Sequence, residues 1–186
     1  MAALPEAFGI AEKGWRHHVV PVKEKRSIRI DFPVPSPKSH YKSKPAAYWS
    51  HLIGHEGPGS ICAALKKRGW ADGLSAGLSY TTSDCSLFTI NVEATLEGMG
   101  ASEYLHAPSF STDGRAANRD AIISTILAYI RLVEEAQFPE AVMSEVECLH
   151  ELEFRYKDSE EPMQAAKMLA TNLKVLSSSS MGHCMK

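Results

Sequence analysis

The residues in this chain with spacing suited to chemistry are His51-Leu52-Ile53-Gly54-His55-Glu56. Two histidines at i and i+4 share one face of a helix, the way zinc proteases present a pair of metal ligands. A working site of that kind also needs a glutamate inside the motif, in HExxH or HxxEH, to polarise the zinc-bound water. Leu52 and Gly54 occupy those two places. Glu56 lies outside the pair, and Gly57-Pro58 then breaks the helix. Glu134 or Glu135 could be sought as a third ligand at the separation an inverted zincin uses, but any acidic helix offers such a match. The plainer expectation is a histidine pair hydrogen-bonding around a tight glycine-rich turn, with no metal and no catalytic residue in this chain. No GxSxG, P-loop or GxGxxG occurs. Asp84 beside Cys85 would raise rather than lower a thiol pKa, so Cys85 reads as a core or turn residue. His17-His18 reads as an exposed strand start, and Trp15, Trp49 and Trp70 as packing residues.

The elements that must position these residues follow from period and punctuation. Residues 18–22 and 27–34 read as two strands. In the second, Ile28, Ile30 and Phe32 alternate with Arg29 and Asp31, and Pro33, Pro35 and Pro37 are expected to stop it. Ser43-Lys44-Pro45 opens a helix holding Tyr48, Trp49, Leu52 and Ile53. Gly57-Pro58-Gly59-Ser60 ends it and starts another, with Ile61, Ala64 and Leu65 as its stripe, cations in its last turn and Gly69 as its stop. Residues 70–80 and 86–92 read as a hairpin with Phe88, Ile90 and Val92 facing the core. Residues 106–120 read as a surface loop, inside a loop insertion near 100–120. Helices are expected over 121–135, 139–157 and 161–176, and a disordered tail over 177–186. The sum is α+β: an antiparallel sheet with helices packed on one face, in a single domain over 1–176.

Composition agrees with a globular chain. Of 186 residues, 44% are hydrophobic and 23% charged, which excludes disorder as the main state. At this length about 70% of the unfolded surface can be buried. No run approaches the roughly 18 apolar residues of a spanning helix. A net charge of −2 argues for no nucleic-acid or membrane partner. The four cysteines, at 62, 85, 148 and 184, form no CxxC pair. With no signal-peptide pattern at the N-terminus, they read as reduced thiols, and a cytoplasmic location is expected.

A resemblance carries further. HLIGHEGPGSICAALKKRGWADGL, with YKSKPAAYWS before it and FTINVEATLEG after it, resembles the insulin-degrading-enzyme group of M16 zinc metallopeptidases. IRIDFPVPSPKSHYKSKP and LEFRYKDSEEP fit the same family, so the likeness covers residues 17–100 and 120–172. Such proteases have four related α+β domains of the LuxS/MPP-like type enclosing a chamber. The first carries HxxEH and the zinc; this chain resembles the second, and His51-x-x-Gly54-His55 a degenerate copy of the motif. Compared with family domains, the chain is expected to be truncated at its C-terminus, leaving an unpaired sheet edge.

The resemblance implies a non-catalytic exosite. There the N-terminal end of a peptide substrate adds as a strand to an exposed sheet edge, near an acidic group that favours a free amino terminus. Gly54 and Glu56 fall in that region, as do Leu74, Ala76 and Leu78 on the edge strand. Ala76 stands where the family has one of two adjacent glycines, and Leu78 where it has a polar residue. The residues alone leave a second reading of Ala76 and Gly77, as a bulge or tight packing point. The partners implied are peptide substrates and the remaining domains of the protease, or a chain that completes the sheet. A free-standing inactive M16-type interaction protein is the alternative. No cofactor is expected in this chain; zinc belongs to the first domain of the parent enzyme.

Overall fold

The computed structural model describes residues 14–40, 43–82, 85–100, 115–136 and 140–175. Of the loop insertion expected near 100–120, residues 101–114 lie outside the described residues, as does the tail at 177–186. Three strands, β1 (Ser27–Pro35), β2 (Ala71–Thr81) and β3 (Cys85–Ala94), form one antiparallel sheet in the order β1-β3-β2. β2 and β3 are consecutive and pair as a hairpin, with Leu74 opposite Val92, Ala76 opposite Ile90 and Leu78 opposite Phe88. β1 lies on the far side of β3, pairing Ile28 with Val92, Ile30 with Ile90 and Phe32 with Phe88. The even-numbered residues of β3 from Ser86 to Ala94 are buried and their odd neighbours are not, the period-2 signature of a sheet covered on one face.

Helices cover that face. α1 (Pro45–Gly54) contributes Tyr48 and Ile53 to the interior, and α2 (Ile61–Lys67) contributes Ile61, Cys62 and Leu65. α3 (Arg115–Glu135) adds Ile122 and Ile126. Ile53, Ile61, Cys62, Leu65, Ile122 and Ile126 make one apolar core with Leu74, Phe88, Ile90 and Val92. Ser60 caps α2, its hydroxyl accepting from the Ala63 N–H at 3.1 Å. Gly69, with φ +70°, ends it in the left-handed region, where the Trp70 N–H returns to the Leu65 carbonyl.

The apolar stripe of α2 is Ile61-Cys62-Leu65; Ala64 is exposed, because the helix turns its Cys62 side to the sheet. Residues 18–22 form no strand: they are exposed, and Pro21 removes one ladder donor. β1 does not stop at its first proline; it runs through Pro33 to Pro35, and a 3₁₀ turn follows at Pro37–His40. An outer strand tolerates proline because its missing N–H faces no neighbour. Residues 115–120, expected in the loop, are the first turns of α3.

Contacts divide the chain into a unit spanning Met1–Pro139, which holds the sheet and core, and a unit spanning Glu140–Lys186. The second contains α4 (Glu140–Arg155) and α5 (Pro162–Val175). Leu149, Leu152 and Phe154 of α4 are exposed, as are Met163 and Leu173 of α5.

Candidate functional site

The histidine pair occupies the last turns of α1. The two rings stand 6.2 Å apart, tilted by 52°. His55 is the C-cap residue, already in extended conformation, and its Nδ1 accepts the Gly57 N–H at 3.2 Å. That bond places the ring proton on Nε2 in the neutral imidazole. The ring lies so close over Gly57 that a Cβ there would fall 2.4 Å from His55 Cε1. Among the described residues no group of three His, Cys, Asp or Glu side chains comes together as a metal cage. A water-activating zinc does not fit these residues: one imidazole nitrogen is committed to the turn, and Leu52 and Gly54 stand where the motif needs its base.

α1 ends against β2. A Cβ on Gly54 would lie 4.0 Å from the Ala76 backbone nitrogen, so the helix terminus and the strand backbone are near neighbours. A Cβ on Gly77 would meet the Ser50 Oγ at 3.6 Å, an ordinary contact. The α1 face carrying Ser50 and Gly54 therefore runs beside the strand segment 76–77, and small residues on both partners allow it.

β2 is an outer strand of the described sheet, with β3 on one side only. Along it, exposure rises from Leu74, buried at 7%, through half-buried Ala76, to Leu78 at 38%. All three sit on the core-facing side, opposite Val92, Ile90 and Phe88. Ala76 thus points its methyl into the core rather than out along the strand's edge. The pairing shifts register between Leu78 and Tyr80, beyond the segment the resemblance singles out. Beside Leu78 opens a cavity of about 440 Å³, walled by Phe32, Trp49, Ile53, Phe88 and Ile130.

Glu56 follows the end of α1 by two residues, within about 7 Å of chain reach from Gly54. Its carboxylate is exposed and receives the Lys66 ammonium at 3.1 Å. The hydrogen bond to Glu56, and then the neighbouring Cys62, hold the Lys66 pKa above its ordinary value. On the opposite face of the sheet, Arg29 Nε donates to Asp31 at 2.9 Å, and Arg29 Nη2 reaches Ser79 and Thr89 at 3.4 Å. This polar network ties all three strands together.

The five residues singled out in the sequence thus fall on two adjoining elements: Gly54 and Glu56 at and beyond the end of α1, and Leu74, Ala76 and Leu78 along β2. Sequence reasoning missed Lys66 as the partner of Glu56. The signal was faint, since both belong to a turn and a short helix with no shared period. It missed the cavity as well, whose walls come from separate elements. The sheet network was partly visible in the Arg29 and Asp31 alternation.

The family profile described as the peptidase M16 inactive domain matches residues 4–146. Human insulin-degrading enzyme is 35% identical over 146 residues, 78% of this chain and 13% of that protein. The A-factor-processing enzyme of Saccharomyces cerevisiae is 32% identical over 152 residues, 82% of this chain and 13% of that one. The peroxisomal insulin-degrading enzyme-like 1 of Arabidopsis thaliana is 30% identical over 156 residues, 84% of this chain and 14% of its own length. The crystal structure of pitrilysin superposes on 80% of this chain and 14% of that one, with a TM-score of 0.66 at 22% identity, which is a likeness of fold. The chain therefore spans 13–14% of the length of these relatives. The matched profile, the relatives and the α+β fold agree, and the chain belongs to the M16 peptidase family as a copy of its inactive domain.

Proposed function

We propose that this chain is the non-catalytic substrate-binding domain of an insulin-degrading-enzyme-like zinc metalloendopeptidase. It anchors the N-terminal end of a peptide by strand addition along β2. The observation that supports this reading is the outer position of β2, with the glycine end of α1 at its backbone and the Glu56 carboxylate close beyond. Backbone hydrogen bonds give affinity with little demand on sequence, which suits a peptide-degrading enzyme. Glu56 supplies the negative charge that distinguishes a free amino terminus from a blocked one.

Cleavage takes place elsewhere, at a zinc held by the first domain of the parent protease. Anchoring one end of the peptide raises the effective concentration of its scissile bond at that distant site. The remaining domains of the protease are then this chain's constant partners, and peptides its transient ones.

The test is a binding titration of the whole chain with three versions of one extended peptide: free amino terminus, acetylated, and methylated at alternate backbone nitrogens. The free peptide should bind best. Backbone methylation should abolish binding, because strand addition needs those N–H groups. Glu56→Gln should weaken the free peptide and leave the acetylated one unchanged. Full binding by the methylated peptide would rule out strand addition; equal losses for free and acetylated forms would remove Glu56 from amino-terminus recognition.

A further inference from the structure

Glu56 does not wait empty. The Lys66 Nζ already sits 3.1 Å from its Oε2, ten residues along the chain and across the turn that joins α1 to α2. We propose that Lys66 is a built-in competitor for the amino-terminus site, setting how strongly this edge discriminates free from blocked peptides. The proposal rests on the reading of Glu56 given above.

The chemistry of the two cations is the same. A lysine side chain and a peptide α-ammonium each bring one positive charge and three N–H donors to a carboxylate. Lys66 therefore occupies Glu56 as a peptide terminus would. It does so from the surface, with the side chains of Lys66 and Glu56 41% and 62% exposed. Ion pairs this open to water hold weakly, so an incoming ammonium can displace Lys66 at small cost. Once displaced, Lys66 has somewhere to go. It lies in the last turn of α2, where the helix dipole favours a cation. Lys67 beside it is in the same turn but makes no ion pair with Glu56 among the described contacts, and so serves as its control.

The experiment uses the whole chain and measures dissociation constants for a free-amino peptide and its acetylated twin. Lys66→Met keeps the aliphatic stem and removes the charge. It should tighten the free peptide by about two- to fivefold, as expected for loss of an exposed pair, and leave the acetylated one unchanged. Lys67→Met should leave the ratio of the two constants where the native chain has it. Lys66→Arg, which can grip a carboxylate through two parallel hydrogen bonds, should lower that ratio.

An unchanged ratio in Lys66→Met overturns the proposal, as does an equal rise with Lys67→Met. If the native chain already binds both peptides equally, the assignment of Glu56 falls and Lys66 falls with it. If the native chain discriminates and Lys66→Met does not alter the ratio, only the competitor role is lost.

Discussion

The His55 ring accepts the Gly57 N–H and lies over that glycine, so the histidine spacing of a metal motif has become part of a turn. This much was legible from residues: without a glutamate at 52 or 54, the pair was expected to serve the glycine-rich turn. Other single-residue constraints left no trace in the sequence. A Cβ on Gly98 would fall 1.9 Å from the Trp70 carbonyl oxygen, inside the turn where the Thr95 N–H bonds that same oxygen at 3.1 Å. Gly98→Ala should therefore destabilise by about 1–3 kcal/mol, read as a lowered urea midpoint at unchanged slope. No change would mean that the turn moves aside freely. Lys44 shows the opposite case. It enters α1 at φ +40°, a left-handed conformation that burdens a residue with a Cβ, and it makes no side-chain cap. Lys44→Gly should stabilise by about 1 kcal/mol. A fall in the unfolding midpoint would contradict that account.

At the scale of elements, alternation and helix period located β1, the hairpin and the five described α-helices; for the strands and α1–α3 the reason is that each buries one face against the same core. Pairing order was not legible. Nothing in β1 or β3 announces that β3 takes the middle, and the prolines of β1 make sense only once that strand is an outer one. The departure at Ala76 also changes meaning on the sheet. Its side chain packs with the core on the face it shares with Ile90, so the methyl does not point along the strand's outer edge. Ala76→Gly should then cost about 0.5–1 kcal/mol of stability, through the added freedom of the unfolded chain. It should leave peptide affinity within twofold. A large gain in affinity would show instead that the methyl obstructs the approach.

At the scale of the whole molecule, two groups tie stability to alkaline pH with the same sign. Burial, and then Tyr129, raises the pKa of Tyr48 above 10.0. The hydrogen bond to Glu56 leads the rise at Lys66 above 10.5. Each holds its proton more tightly folded than unfolded, so its stabilising contribution is complete below those ordinary values. That contribution is lost as pH climbs through the raised ones. Melting temperature should fall above about pH 10, and Tyr48→Phe should flatten part of the descent. A descent of equal steepness in both proteins would clear Tyr48 of any part in it. The candidate site was legible only in its parts: the resemblance pointed to Gly54, Glu56 and the β2 residues as candidates, but the Lys66 contact depends on how the turn between α1 and α2 folds back. The sheet order has a further consequence for how the molecule comes into being. Among the described strands β1 comes first, yet its only described neighbour, β3, follows α1, α2 and β2 along the chain. Until residues 85–94 leave the ribosome, Ile28, Ile30, Phe32 and Val34 lack their described partner strand, and the nascent chain carries an apolar ribbon that a chaperone can recognise.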